Sequence, residues 1–294
     1  MTQSPISITQ LLRHAAIDPF DAQFILQHTL QLPRASVIAH PDKLIAESDA
    51  MLVRSRLERR AAGEPVAYIL GEREFYGEMF KVNPAVLIPR PETEHLVEAA
   101  LAHLPALSTS VAPNVLDLGT GSGAIAVTLK RLRPDVNMTA TDISIEALNV
   151  AHENASNAGV AISFYRGSWY DALPPLLAIQ AKFDMIVANP PYIALGDTHL
   201  SQGDLRFEPA QALSDETLGA RGFAALQQII SGAPHWLKDG GYLLLEHGFD
   251  QASMAEDALF SGGFSQLIAL QDLAGCDRVS GGRWNGKKGG LKNA

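Results

Sequence analysis

The sequence predicts an α/β protein with a mostly parallel sheet covered on both sides, preceded by a small all-helical domain. Three observations support this: helical caps over residues 1–70, a strand followed by a glycine turn and a helix near residue 119, and strand-helix alternation from there onward. Such alternation is typical of a sheet buried on both faces. The predicted strands are Val115–Leu118, Met138–Thr141, Ile162–Tyr165, Met185–Ala188, Tyr242–Glu246, Leu267–Leu270 and Arg278–Val279.

Caps and apolar spacing predict the first two helices. Ser7 and Gln10 have the spacing of a capping box, and apolar residues at helical spacing follow them. Asp18-Pro19 predicts the start of a second helix, with aspartate as the cap and proline in the first turn. We expect this helix to bury Phe24 and Ile25.

A third helical element begins near Arg34, and a longer helix runs from about Ser48 to Ala62 and stops at Gly63. Residues 1–70 contain no catalytic constellation. This domain therefore either holds a partner or stabilises the fold.

Residues 71–90 predict a β-hairpin linker. The pattern from Glu74 to Val82 indicates two strands that turn at Gly77-Glu78, and prolines then mark a connector. A helix follows at Glu94–Leu104, so we expect residues 91–294 to form the α/β domain.

A glycine loop joins the first predicted sheet strand to a helix. The loop is Gly119-Thr120-Gly121-Ser122-Gly123, and the helical run Ala124–Leu129 follows it. Glycines allow positive φ and a close ligand approach near the helix N-terminus, and Asp142 after the next strand can accept both ribose hydroxyls. The pattern predicts nucleoside binding. By itself it also fits the relaxed dinucleotide fingerprint of a dehydrogenase, or glycines that only permit tight packing.

Asn189-Pro190-Pro191-Tyr192 follows the apolar run Met185–Ala188 and offers acceptors for a planar NH2 group. The Asn189 side-chain oxygen and the Pro190 carbonyl can take its two hydrogens, while the Tyr192 ring covers its flat face. Two acceptors favour a pyramidal nitrogen with a localised lone pair, so catalysis needs positioning and fixed dipoles rather than a strong base. A proline-rich turn after a buried strand is the structural alternative.

The two motifs together favour methyl transfer from S-adenosylmethionine to nitrogen. In an open doubly wound sheet, ligands bind outside the carboxyl ends of strands, and both motifs follow such ends. The tetrapeptide thus decides between the ligands that the glycine loop leaves open.

Composition narrows the class of protein further. The formal charge of −9 disfavours electrostatic binding of DNA or RNA, and the single cysteine excludes an internal disulfide. No ligand cluster indicates a metal. Apolar stretches are too short to span a bilayer, and the start lacks the features of a signal peptide, so we expect a cytoplasmic enzyme.

The chain resembles the protein-(glutamine-N5) methyltransferases that modify peptide chain release factors. The resemblance covers nearly the whole chain and includes the glycine loop with Asp142 and the tetrapeptide. Its other motifs are Gly63–Gly71, Leu87-Ile88-Pro89-Arg90-Pro91-Glu92-Thr93-Glu94, Arg206-Phe207-Glu208-Pro209 and Asp277-Arg278-Val279. It implies a seven-stranded, mostly parallel class I S-adenosylmethionine-dependent methyltransferase sheet with one antiparallel strand. It also implies a helical domain that grips the release factor.

The resemblance assigns roles by position. Gly119 to Gly123 would wrap the methionine part of the cofactor, Asp142 would hold its ribose, and Trp169 would line the adenine pocket. Many relatives have Asp immediately before that tryptophan, where this chain has Ser168, so a main-chain or hydroxyl acceptor would replace the carboxylate.

On the substrate side, the resemblance implies the glutamine of the Gly-Gly-Gln loop of class I release factors. Asn189 would contact both the cofactor side and the glutamine amide, with Pro190, Pro191 and Tyr192 completing the slot. Asn189, Pro190 and Tyr192 are the expected catalytic residues. We expect a monomer that contacts neither nucleic acid nor a membrane.

Other residues keep two interpretations. Asp117 either orients the cofactor's ammonium through water or hydrogen-bonds the loop. Arg90, Glu92 and Glu94 are expected to form an ion-paired wall above the site, or only to fix a helix entrance. His247 is interpreted as structural.

Three rival functions stay open at this point. A nucleic-acid N6-adenine methyltransferase would present an exocyclic NH2 to the same acceptors after base flipping. A glutamine methyltransferase of a ribosomal protein shares the tetrapeptide. A cofactor-binding scaffold would lack turnover.

Overall fold

The computed structural model of the protein describes residues 6–13, 15–106, 111–175, 177, 182–214, 217, 219 and 221–286. The chain divides into two compact units. The first, the helical unit, comprises the residues up to Glu72 together with Gln202–Phe207. The second, the sheet unit, comprises Arg73–Ser201 and the residues from Glu208 onward.

The helical unit packs short helices around an apolar core. Its elements in order are β1 (Ile6–Ser7), α1 (Ile8–Arg13), α2 (Pro19–Leu30), α3 (Arg34–Ala39), β2 (Leu44–Ile45), α4 (Glu47–Ala61) and α5 (Val66–Leu70). β1 and β2 pair antiparallel, so the unit is mostly helical and not all-helical as predicted. The fully buried centre includes Ile8, Ile25, Leu26, Ala50 and Val53.

The predicted caps are confirmed. The Ser7 N–H donates to Gln10 Oε1 at 2.9 Å while the Gln10 N–H donates to Ser7 Oγ at 3.3 Å, which is the reciprocal pattern of a capping box. Asp18 Oδ1 accepts the N–H groups of Phe20 at 2.8 Å and Asp21 at 3.4 Å. These bonds satisfy donors that the first turn of a helix leaves free.

The sequence interpretation misplaced one residue of this unit and missed one helix. Ile25 is buried, but Phe24 is 55% exposed because it lies one position away on a helix whose buried face carries Ala22, Ile25 and Leu26. The sequence interpretation also missed α5, a five-residue helix that Pro65 precedes and Gly71 ends with positive φ.

The sheet unit begins with a hairpin and continues as alternating strands and helices. Its elements in order are β3 (Glu72–Phe75), β4 (Glu78–Lys81), a 3-10 turn (Pro91–Thr93), α6 (Glu94–His103), β5 (Asn114–Leu118), α7 (Ala124–Leu132), β6 (Asn137–Asp142), α8 (Ile145–Asn157), β7 (Ser163–Arg166), a 3-10 turn (Trp169–Ala172), β8 (Phe183–Ala188), α9 (Ala210–Leu213), α10 (Ala224–Trp236), β9 (Leu237–Glu246), α11 (Ala252–Ser261), β10 (Phe264–Gln271) and β11 (Asp277–Trp284).

Seven strands form one sheet in the order β10-β11-β9-β8-β5-β6-β7. β11 is antiparallel to both of its neighbours, and the other pairs are parallel. Alternate residues enter different cores: Val115 packs with α6 and α7, whereas Leu116 packs with α10 and α11. The predicted parallel sheet buried on both faces, with its single antiparallel strand, is confirmed.

The hairpin is present, but its turn lies one residue earlier than predicted. Tyr76 and Gly77 form the turn, and both have positive φ, at 52° and 78°. Two positive φ angles are the signature of a type I′ turn, whose twist matches the flanking strands. The Tyr76 N–H donates to Glu94 Oε1 at 2.9 Å, which ties the turn to the start of α6.

The last strand is much longer than the predicted Arg278–Val279. Gly281 and Gly282 look like a break in the sequence, yet both pair with β9. A Cβ on Gly281 would lie 2.4 Å from the Leu243 carbonyl oxygen, so glycine is what permits the close strand approach there.

Candidate active site

A cavity of about 390 Å³ opens in the sheet unit at the carboxyl ends of β5, β6 and β8. Parallel strands present these ends at one edge of the sheet, which is where doubly wound folds bind ligands. The residues that line it include Thr93, Gly119, Thr120, Gly121, Ser122, Asp142, Ser168, Trp169, Asn189 and Pro191. The cavity thus brings together side chains from both predicted motifs.

The glycines of the loop after β5 differ in what surrounds them. Gly121 has φ of 56°, lines the cavity, and would have nothing within 4 Å of an added Cβ. Gly123 has φ of 81° and is absent from the cavity wall, and a Cβ there would lie 3.2 Å from the Ala151 Cα of α8. Gly121 therefore opens space for a ligand, while Gly123 permits helix packing.

Asp142 fastens the loop and faces the cavity. Its Oδ2 accepts the Gly121 N–H at 2.8 Å and its Oδ1 accepts the Ser144 N–H at 2.9 Å. Burial raises the pKa of this carboxyl, and the backbone N–H groups of Ser144, Gly121 and Ile143 oppose the rise. Each carboxylate oxygen has a second lone pair, so Asp142 can still accept hydroxyls from a ligand.

Trp169 lies beside the glycine loop and lines the cavity. It has φ of 44°, and an added Cβ on Gly119 would meet its ring at 3.1 Å. A bulky residue in this backbone region is uncommon and is often held so at a binding site. Ser168, the preceding residue, also lines the wall.

Asp117 is fully buried behind the loop. Thr120 Oγ1 donates to its Oδ2 at 2.6 Å, and Oδ1 has no hydrogen-bond partner among the described residues. Burial raises the pKa of this carboxyl to about 7, which the Thr120 hydroxyl opposes. Asp117 hydrogen-bonds a loop side chain, as one of its two interpretations required, and retains one free acceptor.

Asn189 follows β8 directly, and its side-chain Nδ2 donates to Thr93 Oγ1 at 3.2 Å. Asn189 and Pro191 line the cavity, whereas Pro190 and Tyr192 lie beside them in the chain and are not part of its wall. The structure thus places the tetrapeptide at the cavity but exposes only part of it there.

Tyr192 is held at both ends. Its hydroxyl donates to Glu246 Oε1 at 3.3 Å, and its carbonyl accepts from Gln251 Nε2 at 3.0 Å. Gly222 approaches the same carbonyl so closely that an added Cβ would lie 2.1 Å from the oxygen. Burial raises the pKa of the Tyr192 hydroxyl, so the ring is neutral at physiological pH.

The expected wall of Arg90, Glu92 and Glu94 was wrong. Arg90 pairs instead with Glu208, whose other oxygen accepts the Ile88 N–H at 3.0 Å. Glu94 accepts the Tyr76 N–H. The side chain of Glu208 is fully buried, so this pair fixes the loop that leads to the cavity.

His247 is structural, as interpreted from the sequence. Its ring nitrogens hydrogen-bond the Gly248 carbonyl and Ser280 Oγ, both at 2.8 Å, and burial lowers its pKa. Sequence reasoning missed Thr93, Glu208 and Gln251 as residues that organise the site. Thr93 and Glu208 lie within motifs of the resemblance, which was the only available signal, whereas Gln251 lies in none of them.

The described residues show the features of neither a metal site nor a membrane span. They contain no group of three or more His, Cys, Asp or Glu placed to hold a metal ion. In the same part of the chain, no helix has both the length and the hydropathy that a bilayer crossing requires.

Two family descriptions match the chain. Residues 94–213 match "Methyltransferase small domain", and residues 6–71 match "PrmC N-terminal domain". Among solved structures, a methyltransferase from Pyrococcus furiosus aligns with a TM-score of 0.53 at 15% identity, over 79% of this chain and 98% of that one. The T. thermophilus 16S rRNA N2 G1207 methyltransferase, solved with AdoMet and guanosine, aligns with a TM-score of 0.51 at 18% identity, over 73% and 50%. These likenesses show the methyltransferase fold.

Curated relatives are much more similar in sequence. The release factor glutamine methyltransferase of Neisseria gonorrhoeae is 48% identical over 90% of this chain and 93% of its own length. Those of Bordetella pertussis and Vibrio cholerae are 46% and 43% identical, each over 94% of this chain and over 98% and 94% of their own lengths. With such identity over nearly its full length, the chain belongs to the family of the release factor glutamine methyltransferases, which are S-adenosylmethionine-dependent enzymes.

Proposed function

We propose that the protein transfers a methyl group from S-adenosylmethionine to the side-chain amide N5 of the glutamine in the Gly-Gly-Gln motif of class I peptide chain release factors. One observation carries the proposal. Asn189, an amide side chain with an oxygen to offer, lines the same cavity as the glycine loop and Asp142. Nucleoside-binding groups and an acceptor for an NH2 group therefore share one enclosed space.

The residues present fit the cofactor. Asp142 would accept the ribose hydroxyls and Trp169 would line the adenine pocket, since both residues line the cavity, and Gly121 leaves open space beside the loop. Asp117 keeps one buried oxygen without a partner, which suits an ammonium group reached through water. When bound, S-adenosylmethionine supplies an electrophilic methyl group on a positively charged sulfur.

The tetrapeptide prepares the glutamine. Asn189 Oδ1 and the Pro190 carbonyl accept the two amide hydrogens, which favours a nitrogen whose lone pair is localised. Pro191 closes the slot, and the buried ring of Tyr192 stiffens it. The C–N bond would form as the S–CH3 bond breaks, with S-adenosylhomocysteine as the leaving group. No strong base is needed beforehand, because the nitrogen becomes acidic only after methylation and then releases one proton to solvent.

Residues 1–70 form the proposed release-factor-binding domain, residues 71–90 the linker and residues 91–294 the methyltransferase domain. The protein acts as a cytoplasmic monomer and contacts neither nucleic acid nor a membrane. The formal charge of −9 supports a protein substrate over a polyphosphate one.

Mass spectrometry tests the proposal. A class I release factor incubated with the protein and S-adenosylmethionine is expected to gain the mass of one CH2 on its Gly-Gly-Gln peptide. A release factor with alanine in place of that glutamine is the matched control. A label that appears instead in N6-methyladenine, or in a ribosomal protein but not the release factor, would contradict the proposal.

Asn189→Ala tests the amide acceptor. We expect this variant to lose nearly all turnover while it still binds S-adenosylmethionine, because the lost oxygen acts mainly on the reactive geometry of the glutamine. Steady-state kinetics and calorimetry with the cofactor measure the two effects separately. Near-normal kcat would contradict this role for Asn189.

A further inference from the structure

A line of polar side chains runs from Asn189 into the protein interior. Asn189 Nδ2 donates to Thr93 Oγ1 at 3.2 Å, and Thr93 is only 4% exposed. The Thr93 hydroxyl in turn faces the carboxyl of Glu246, where it favours the ionised form. Glu246 ends β9 and is 1% exposed. Three groups from separate parts of the chain therefore meet here, and two of them, Asn189 and Thr93, line the cavity.

The number of available hydrogens determines which group donates and which accepts in each of these hydrogen bonds. A threonine hydroxyl carries one hydrogen, and an ionised carboxylate can only accept. When Glu246 is ionised, it takes the Thr93 hydrogen, so Thr93 Oγ1 must accept its other bond from Asn189. The NH2 end of the Asn189 amide is then committed to Thr93.

We propose that Glu246, acting through Thr93, determines which end of the Asn189 side chain faces the substrate. Ionised Glu246 turns Asn189 Oδ1 toward the cavity, where it accepts a hydrogen from the glutamine amide. This inference rests on the proposed function. Thr93 and Glu246 are positioning residues, since Asn189 is the one that touches the substrate.

Protonation of Glu246 exchanges donor and acceptor in both hydrogen bonds of the Thr93 hydroxyl. A neutral carboxyl donates its proton to Thr93, and the Thr93 hydrogen then goes to Asn189 Oδ1. The Asn189 side-chain amide then flips, so that its NH2 group faces the NH2 group of the substrate glutamine. Both groups are donors, and no hydrogen bond can form between them.

The groups around Glu246 place this change in the physiological range. Burial raises its pKa to about 7, while the hydroxyls of Thr93 and Tyr192 and the positive charge of Arg278 on β11 oppose the rise. Glu92, from the 3-10 turn, adds to it. The neighbouring His247 has a lowered pKa and does not supply a compensating charge there. Activity should therefore fall as the pH drops below about 7.

Glu246→Gln is the first test, because glutamine keeps the shape but cannot act as an acceptor-only group. We expect kcat to fall on the order of a hundredfold, as for other small losses of alignment, while the KM for S-adenosylmethionine is unchanged. The pH profile of kcat should lose its step near 7. Glu256→Gln, on the exposed side of α11, is the control and should retain the wild-type profile.

Two variants of Thr93 separate the effect of its hydroxyl from the effect of its packing. Thr93→Val should lose activity and Thr93→Ser should retain most of it, because only serine keeps the hydroxyl. Thr128→Val is the matched control, since Thr128 is 2% exposed and its hydroxyl has no partner among the described residues. It should leave kcat unchanged.

A carboxyl NMR titration gives a readout that does not need turnover. In the free protein, Thr93→Val should raise the pKa of Glu246 because the carboxylate loses a donor. An unchanged Glu246 pKa in Thr93→Val, or wild-type kcat in Glu246→Gln, overturns the inference while the proposed function stands. If the wild-type protein methylates no release factor, the proposed function fails, and the titration still decides whether Thr93 and Glu246 are coupled.

Discussion

Gly121 and Gly123 occupy the same loop, both with positive φ, yet their surroundings give them different tasks. Gly123→Ala should lower the free energy of unfolding by about 2 kcal/mol, because a Cβ would press on Ala151 and the left-handed backbone is itself strained for alanine. Gly121→Ala carries only the backbone strain in the free protein, but its methyl group enters the cavity.

Urea unfolding and cofactor calorimetry measure these two effects. Gly121→Ala should weaken S-adenosylmethionine binding more than Gly123→Ala does, and Gly123→Ala should unfold at the lower urea concentration. The reverse order would show that the loop glycines had been assigned the wrong roles.

Two buried carboxyls should make stability depend on pH. Asp117 and Glu246 have ordinary pKa values of 3.8 and 4.5, and burial raises both to about 7 in the folded protein. Between about pH 4 and 7 the folded state keeps protons that the unfolded state has lost, so the free energy of unfolding falls as the pH rises through this range. The raised pKa of Asp142 acts in the same direction.

Urea unfolding at pH 5, 6 and 7.5 checks this slope. Because the amides do not titrate, the double variant Asp117→Asn, Glu246→Gln should show a smaller decrease over the same range. A slope equal to that of the wild type would mean that neither carboxyl is the source.

The sequence alone identifies residues at the site only where they form a contiguous pattern. The glycine loop, Asp142 and Asn189 stand out because their chemistry is local and each follows a predicted strand, and the structure brings all of them to one cavity. Thr93 and Glu246 could not be linked to Asn189 in advance. Their contacts depend on how β8, β9 and the 3-10 turn before α6 lie beside one another, which no single segment specifies.

At the scale of elements, local hydrogen bonding explains why α2 begins at Pro19. The Asp18 carboxylate accepts two N–H groups of the first turn. Asp18→Ala should therefore lower the free energy of unfolding of the helical unit by about 1 kcal/mol, while Asp18→Asn should retain most of it. Hydrogen exchange of the α2 amides measures the loss, and equal protection in both variants would contradict the cap.

Strand positions were predictable to within a few residues because apolar runs are bounded by polar ones. The predicted ends of strands and turns were wrong where pairing with a distant strand overrides the local conformational preference. β11 continues through Gly281 and Gly282 because β9 approaches closely enough to exclude a side chain, and Tyr76 enters a left-handed turn because the hairpin twist demands it. Neither cause is visible in the segment itself.

At the scale of the whole molecule, the helical unit has one apolar core and the sheet unit has one on each face of its sheet, and the cavity lies in the sheet unit. The helical unit exposes Phe20 and Phe24, one turn apart on α2, at 71% and 55%. If residues 1–70 hold the release factor, the double variant Phe20→Ser, Phe24→Ser should raise the KM for the release factor roughly tenfold, as expected when anchoring aromatic contacts are lost.

The same variant should bind S-adenosylmethionine with unchanged Kd. Phe260→Ser is the matched control, because Phe260 is 70% exposed on α11 of the sheet unit. Kinetics with intact release factor, compared for the two variants, decide the point. An equal KM for the release factor in the double variant and in Phe260→Ser would mean that the release factor does not bind at α2.

The approach of Gly222 to the Tyr192 carbonyl has a consequence for anyone who wishes to retarget this enzyme by directed evolution. Every single-nucleotide missense change of a glycine codon introduces a Cβ atom, and here there is no room for one. Libraries that diversify the neighbouring loop should therefore keep the Gly222 codon unchanged and randomise other positions.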